Sequence, residues 1–460
     1  KLDGGLTITT YVNLLDGNNL YYGVPGAVKY DQQNFRHYIR FKPEIKMKYV
    51  YYYDTLLGVD PSRYAERKTL KERAYETMKI YNIDSTKVLT PKEIRAKIDL
   101  VKEDNWFVRE LERESGEKTF LRIFRGMDRM PKEAEITAAM KRIAMKLPTV
   151  GVLTGHGERN IHQAGDRNYT SFGEDKHFRY ALMNQGFEMQ EISLEKEIPE
   201  EINILIVAEM RSSFTPVERE NWEKYIARGG NLMILSEPGR GSIMGEVLAD
   251  FGVRLIPGTL VRQTKDFSPD LIEARPTQAA AGLVYYFDAM RAQGYSVTMP
   301  SVSALAYDGN MGYNVTPLFE TDSLVWNELQ TTDFIDDSVT FDPGTGEAQQ
   351  KYVTSVALTR QIWGHEQRIM IFGDADCISN AELSMGRQGI RSANYTVIMG
   401  GFYWLSDGEV PIDVRRESPR DNDYKVSGAV VRFWDIFLSW ILPGLMLVTA
   451  LFIWLRRRGR

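Results

Sequence analysis

Residues 202–235 read INILIVAEMRSSFTPVERENWEKYIARGGNLMIL, a strand, a capped helix and a second strand in one run. Residues 202–207 read as a strand. Thr215-Pro216-Val217-Glu218 forms a capping box with proline at the first helical position. Gly229-Gly230 stops that helix, and 231–235 reads as a second strand. Upstream, the pattern predicts a strand over 149–153, a helix over 175–185 closed by Gly186, and a strand over 187–192. Downstream it predicts a helix over 243–251, strands over 353–359 and 367–372, and a helix over 394–405. Such alternation predicts a doubly wound parallel sheet with helices on both faces. Residues 257–350 lose the rhythm and carry turn clusters such as Asp342-Pro343-Gly344-Thr345-Gly346, so they read as a loop and short-strand elaboration.

Ahead of this domain, residues 1–130 read as a small mixed α/β unit. It has a strand over 6–12, a helical stretch over 28–40, and a hairpin formed by 106–113 and 118–125. In the run 45–53, Ile45, Met47, Tyr49, Tyr51 and Tyr53 share one face at period two, which fits a half-buried strand better than a stacking platform. Thr90-Pro91-Lys92-Glu93 is a second capping box. A helix over 133–147, striped by Ile136, Met140, Ile143 and Leu147, is expected to open the second domain. That domain then runs over 131–256 and 351–406, around the 257–350 elaboration. A polar tether over 407–427 leads to residues 428–460.

Those last residues hold IFLSWILPGLMLVTALFIWL, Ile436 to Leu455, twenty positions without a charge. As a helix this spans about 30 Å, the thickness of a bilayer's hydrocarbon core. Trp434, Trp440 and Trp454 lie near its ends, and Arg456, Arg457, Arg458 and Arg460 follow. Length, terminal position and basic stop favour a transmembrane helix over a buried core helix. The positive-inside rule places the tail in the cytoplasm and the bulk of the chain in the periplasm of a bacterium. Arg432 and Asp435, on one helix face, and Pro443-Gly444 are candidate permease contacts. The plainer readings are a mutual ion pair and a kink. The chain starts Lys1-Leu2-Asp3 with no signal-like apolar run in its first thirty residues, so it is expected to be a fragment or processed product.

Composition narrows the function classes. Hydrophobic residues make up 43% and charged residues 26% of the 460, so a sizeable core is expected. A formal charge of -5 argues against nucleic acid as a partner. The single cysteine, Cys377, excludes an internal disulfide and Cys-rich zinc or iron–sulfur sites, and it reads as an inert thiol. Gly-Lys is absent, so there is no Walker A loop, and neither His-Glu-x-x-His nor Gly-x-Ser-x-Gly occurs. Gly239-Arg240-Gly241-Ser242-Ile243-Met244-Gly245 approaches a dinucleotide fingerprint, but its third glycine falls one residue late, and a simple helix start is expected. Two polar clusters follow strands, where ligands bind in such sheets. One is Gly155, His156, Gly157 and Glu158; the other is Asp374 and Asp376, with Ser379 and Asn380 behind them. Glycines allow tight turns and close approach, while the polar side chains supply donors, acceptors or metal ligands. These are the candidate ligand-binding residues, with turn and N-cap roles as the plainer alternative. His162 and His177 are possible additions, but five histidines without a paired spacing give no expected metal, and no cofactor is expected.

The order of motifs resembles one family. Thr149-Val-Gly-Val-Leu-Thr-Gly-His-Gly-Glu158, residues 202–208 and Trp222–Leu235 are similar to the GldG-type, gliding-motility-associated auxiliary components of ABC transport systems. Ile369-Met-Ile-Phe-Gly-Asp-Ala-Asp376 with Ser379-Asn380, Phe402-Tyr-Trp-Leu405, Glu133-Ala-Glu-Ile-Thr-Ala-Ala139 and the basic-tailed terminal helix extend the resemblance over nearly the whole chain. It implies a domain resembling the class I glutamine amidotransferase fold without that family's Cys–His pairing, working beside a permease and a separate ATPase. The family's upstream membrane segment has no counterpart here. The expected function is a non-catalytic, membrane-anchored, extracytoplasmic auxiliary subunit in the bacterial inner membrane, with substrate unspecified. The alternatives are a periplasmic hydrolase using His156, Glu158, Asp374 and Asp376, and a passive scaffold. Convergence of the two polar loops favours a site, and separation by more than about 12 Å excludes shared chemistry.

Overall fold

Two sheets organise the chain as far as Asp413 in the computed structural model, which describes residues 3–58, 68–309, 311–335, 339–416 and 426–459. The first sheet has the order β3-β2-β1-β4-β5. Its strands are β1 (Leu6–Asn13), β2 (Ile45–Tyr52), β3 (Val88–Leu89), β4 (Val108–Arg113) and β5 (Lys118–Arg122). The tyrosines of β2 pack within this unit with tethered hydroxyls: Tyr49 donates to Asp31 Oδ2 at 2.7 Å and Tyr51 to the Gly23 carbonyl at 3.0 Å. The stretch predicted as one helix over 28–40 is two, α1 (Val28–Asn34) and α2 (Arg36–Phe41), parted at the buried Phe35. Helices α3 (Leu70–Tyr81) and α4 (Pro91–Lys97) both carry complete capping boxes. Helix α5 (Glu133–Arg142) ends short of 147. Its stripe of Ile136, Ala139, Met140 and Ile143 packs on Leu6, Ile8, Leu111 and Leu121, so the first sheet covers it.

The second sheet is built on β6 (Thr149–Leu153), β7 (Glu188–Ile192), β8 (Ile202–Ala208) and β9 (Asn231–Leu235). Further along, β12 (Leu271–Pro276), β13 (Val297–Pro300) and β15 (Asn314–Glu320) join it, whereas β10 (Val253–Leu255) with β14 (Leu305–Tyr307) and β11 (Thr259–Val261) with β16 (Trp326–Glu328) form two separate two-stranded sheets. A hairpin of β17 (Val353–Ile362) and β18 (His365–Phe372) closes the set. The order is β13-β12-β15-β17-β18-β9-β8-β6-β7, parallel from β18 to β7 and antiparallel from β17 outward. The sheet is therefore mixed, not the wholly parallel one expected. The Trp363-Gly364 turn, with φ of 50° and 85°, joins its strands through only two residues, and so short a link requires an antiparallel pair. Residues 257–350 supply β12, β13 and β15 to this sheet, together with α9 (Gln278–Leu283) and α10 (Tyr285–Ala292), which the sequence reading missed.

Period-two alternation explains the near-continuous apolar runs. Ile204 and Ile206 join one core with Met233, Leu235, Met370 and Phe372, while Leu205 and Val207 join the other with Leu232, Ile234, Ile369 and Ile371. The first core is covered by α10 and α12 (Tyr395–Leu405), the second by α7 (Pro216–Ala227) and α8 (Gly241–Ala249). The predicted helix over 175–185 is replaced by α6 (Thr170–Glu174), turns and a short 3-10 segment, Leu182–Asn184. There the Asn184 amide donates to the carbonyls of Asp175, Lys176 and Phe178, offering these groups partners outside a helical ladder. Val410 is buried and Glu409 pairs with Lys141, so the start of the expected tether is held by the domain. Residues 417–425 of that tether lie outside the described residues.

From Val414 the chain forms a separate unit. Helices α13 (Gly428–Ile436) and α14 (Leu442–Arg458) are joined by a π-helical turn, Phe437–Ile441, into one helix of 31 residues. It is long and apolar enough to cross a membrane, and its apolar window is wholly unburied, unlike a core helix. The π turn precedes Pro443, whose ring crowds the carbonyl four residues back, so the widened turn accommodates it. Asp435 accepts a hydrogen bond from Ser439 at 3.4 Å, and among the described residues it makes no ion pair with Arg432.

Candidate functional site

The chain reverses its direction of travel across the sheet at β6: β7 lies on one side of it, β8 and β9 on the other. In open sheets such a reversal leaves a crevice beyond the strands' carboxyl ends. The loop that follows β6 turns through Gly155 and Gly157, with φ of +122° and +78°, a left-handed backbone that favours glycine. The turn brings Arg159 back over the sheet, where its N–H donates to the Ala208 carbonyl at 3.3 Å, while the Arg211 N–H donates to the His156 carbonyl at 2.7 Å. The loops after β6 and β8 are thereby joined.

Arg159, with its side chain 3% exposed, is the centre of the cluster. Its Nε donates to Glu209 Oε2 at 2.7 Å, Nη2 to Glu237 Oε1 at 2.8 Å, and Nη1 to Asp376 Oδ1 and to the Arg167 carbonyl. Those acids follow β8, β9 and β18 respectively. Glu209 is also approached by Arg167 and Arg211 at 3.4 Å and Arg240 at 3.2 Å. Its φ of 53° is uncommon for a residue with a side chain. Asp374 is fully buried; its Oδ1 accepts from the Asp376 N–H at 2.5 Å and its Oδ2 has no hydrogen-bond partner. The Asp374 loop is pinned, because a Cβ on Gly373 would lie 1.9 Å from the Ser303 carbonyl oxygen.

Burial, reinforced by the charge of Asp376, pushes the Glu237 carboxyl up to about 8 against the pull of Arg159. Burial, then the charges of Glu237 and Asp376, raises Asp374 well above the usual carboxylate range. Glu209 goes the other way: burial would raise it, but Arg159, Arg167 and Arg211 together hold it below its ordinary value. The cluster thus combines a firmly ionised carboxylate with two that retain protons readily.

The predicted residues divide between two places. His156 places Nδ1 3.0 Å from Glu158 and Nε2 3.3 Å from Glu218, the capping residue of α7, with its ring edge-on to Phe214. Both ring nitrogens are thus engaged away from Asp374 and Asp376, so the four residues of the hydrolase alternative do not form one constellation. The two loops do meet, but through Arg159. Ser379 caps α11 (Asn380–Ser384), and Asn380 pins the 163–171 loop by accepting from the Ser171 N–H at 2.7 Å and donating to the Gly165 carbonyl at 2.8 Å. His162 pairs with Glu174 at 2.7 Å, and His177 stacks on Trp106 beside Asp104. Gly239–Gly245 begins α8 and contributes Arg240 to the cluster. Cys377 is fully buried, and burial raises its thiol well above its usual range. Sequence reading passed over Arg159, Arg167, Glu209, Arg211, Glu237 and Arg240. Glu209 and Glu237 carried the same signal as Asp374, an acid just beyond an apolar strand.

Similarity to known proteins bears on the same region. Among curated proteins none matches the chain. Of solved structures, the mmIFT52 N-terminal domain is similar at 16% identity over 57% of this chain and 98% of that one, with a TM-score of 0.39. A putative ThuA-like protein from Parabacteroides merdae is similar at 10% identity over 60% and 94%, with a TM-score of 0.30. Likeness at these scores does not establish a shared fold. The family model ABC_transp_aux, described as an ABC-type uncharacterized transport system, matches residues 147–397. That span runs from β6 into α12 and takes in every member of the Arg159 cluster. The chain belongs to this ABC-type transport family and is an auxiliary component of an ABC transport system.

Proposed function

We propose that this auxiliary component is a non-catalytic, membrane-anchored subunit of the GldG type, with its sheet domains outside the cytoplasm. Its ligand or partner binds in the crevice between the carboxyl ends of β6 and β8. The observation that carries the reading is the cluster at the reversal of strand order, where Arg167 and Arg211 stand with their side chains 53% and 50% exposed over a buried acidic floor. The buried Cys377 and the fully engaged His156 support binding rather than turnover. The unburied apolar helix and its basic end support an anchor with a cytoplasmic tail. Without a phosphate-binding loop the chain depends on a separate ATPase, reached through a permease that contacts the helix around Arg432, Asp435, Pro443 and Gly444. Protein solubilised in gentle detergent is expected to bring down a multispanning permease and its ATPase, and replacing 429–455 by an unrelated span should weaken that association. Failure of the native chain to retain any permease refutes the reading.

A further inference from the structure

The carboxylates beyond the ends of β9 and β18 are arranged for more than pairing with arginine. Glu237, Asp374 and Asp376 each offer an oxygen such that the three oxygens lie within 4.8 Å of one another. In each residue one oxygen is fixed by the protein. Glu237 Oε1 accepts from Arg159 and the Ala375 N–H, Asp374 Oδ1 from the Asp376 N–H, and Asp376 Oδ1 from Arg159. Of the second oxygens, Asp374 Oδ2 and Asp376 Oδ2 accept no hydrogen bond among the described residues, and Glu237 Oε2 meets only the half-exposed Arg167 guanidinium, at 3.6 Å. For Asp374 this matters most, because its side chain is wholly buried and Oδ2 has no partner at all. A buried polar atom left unsatisfied is costly, and native structures leave few.

We infer that Glu237, Asp374 and Asp376 form a site for one hard divalent cation, of the Mg²⁺, Mn²⁺ or Ca²⁺ class. An ion there would give Asp374 Oδ2 the partner it lacks. The donors are all carboxylate oxygens, the ligand type that such cations prefer over softer metals. Cys377 is no competitor: its thiol turns to the Asp374 carbonyl at 3.5 Å. Arg159 holds Glu237 and Asp376 from behind, as orienting partners of ligand carboxylates do. Asp376, 19% exposed, lies on the outer side together with the half-exposed Arg167, which is 3.5 Å from Asp376 Oδ1 and 3.6 Å from Glu237 Oε2, so an entering cation would displace that side chain. The ligands come from the ends of β9 and β18, so a bound ion ties two strand-end loops together whatever occupies the crevice above.

Cation binding at these carboxylates does not depend on the proposed transport role and is measured without a transport readout. Full-length protein in detergent, stripped with EDTA and desalted, is titrated with Mn²⁺ while free Mn²⁺ is followed by electron paramagnetic resonance. Melting is recorded in parallel with Mg²⁺, Mn²⁺, Ca²⁺ or Zn²⁺. One saturable Mn²⁺ per chain is expected, with a melting temperature that rises with cation concentration. Asp374→Asn should weaken Mn²⁺ binding at least tenfold while melting in EDTA no lower than the parent, because the orphaned oxygen is replaced by an amide donor with the carboxylates of Glu237 and Asp376 close by. Asp376→Asn, at the partly exposed ligand, should weaken binding as well and serves if Asp374→Asn does not fold. Absence of Mn²⁺ binding by the parent protein overturns the inference. So does binding that survives both substitutions, which would put the ion elsewhere.

Discussion

Replacing Arg159 by methionine tests whether one guanidinium joins the strand-end loops. The substitution keeps an unbranched chain of similar length and removes four hydrogen bonds, to Glu209, Glu237, Asp376 and the Arg167 carbonyl. Breaking a buried ion pair by deleting one partner costs about 3–5 kcal/mol. The lower end applies here. Glu209 keeps Arg167, Arg211 and Arg240, and Glu237, raised to about 8, sheds much of its stranded charge by protonation. A loss of about 3 kcal/mol, set against about 2.1 cal/mol/K of unfolding entropy per residue over the unit Lys1–Asp413, lowers the melting temperature by roughly 3–4 °C. Arg211→Met is the internal control: that side chain is 50% exposed and meets Glu209 at only 3.4 Å, so about 0–1 kcal/mol is at stake. Tryptophan fluorescence during heating, in EDTA at pH 7, reads both variants, since Trp222 is buried in the domain core. If Arg159→Met melts within about 1 °C of the parent, or no lower than Arg211→Met, the cluster does not hold the loops together and the reasoning fails.

Gly373→Ala should lose about 3 kcal/mol or fail to fold, because its Cβ would meet the Ser303 carbonyl while both backbone groups of Gly373 are already bonded. Gly245→Ala, inside α8 with nothing within 4 Å of its Cβ, should instead gain about 0.5–1 kcal/mol; thermal melts of the two variants must move in opposite directions. Asp104 is held below the usual carboxylate range by its bond to His177, with Lys176 adding to the effect against burial. A depressed carboxyl contributes stability above its unfolded value of about 3.9 and loses it as pH falls through the folded value. Asp104→Asn, an isostere tolerated at its φ of 56°, should therefore melt below the parent at pH 7, with the gap closing under about pH 4; a gap constant from pH 7 to pH 3 contradicts the pairing.

Much of the second sheet was legible because its strands are buried on both faces. Ile204 to Val207 cannot alternate with polar residues when each neighbour enters a different core, so β6, β8 and β9 announced themselves as apolar runs. The Thr215–Glu218 box formed as expected, since a cap is a purely local interaction. Orientation was not legible. The Trp363-Gly364 turn takes left-handed φ at both residues without an Asn-Gly or Asp-Gly pair, so nothing marked β17 and β18 as a hairpin. Helices α9 and α10 escaped because they are short and abut one another, and Thr277 caps α9 without an acidic partner three residues on. The helix expected over 175–185 had a plausible periodicity, but tertiary burial and the Asn184 side chain chose turns instead.

The candidate site was half legible for a related reason. Apolar runs reveal where strands end, and that located Gly155–Glu158 and Asp374–Asp376. Which side chain turns inward depends on backbone reversals that no single residue declares. The left-handed Gly155 and Gly157 swing His156 and Glu158 towards α7 and put Arg159 over the sheet. Parallel neighbours lie about 4.8 Å apart, so the first residues beyond their carboxyl ends become neighbours whatever their separation in sequence. Glu209, Glu237 and Asp374 stand one or two residues beyond β8, β9 and β18. Three acids brought that close, with Asp376 beside them, must be neutralised by buried cations or retained protons. Arg159 supplies one charge, burial raises the Glu237 and Asp374 carboxyls so that they retain protons more readily, and the half-exposed arginines stand around Glu209. An acid at the end of each of three adjacent parallel strands is thus a pattern in the sequence that requires a compensating cation nearby, and Arg159, next to the predicted Glu158, is the residue the loop geometry delivers.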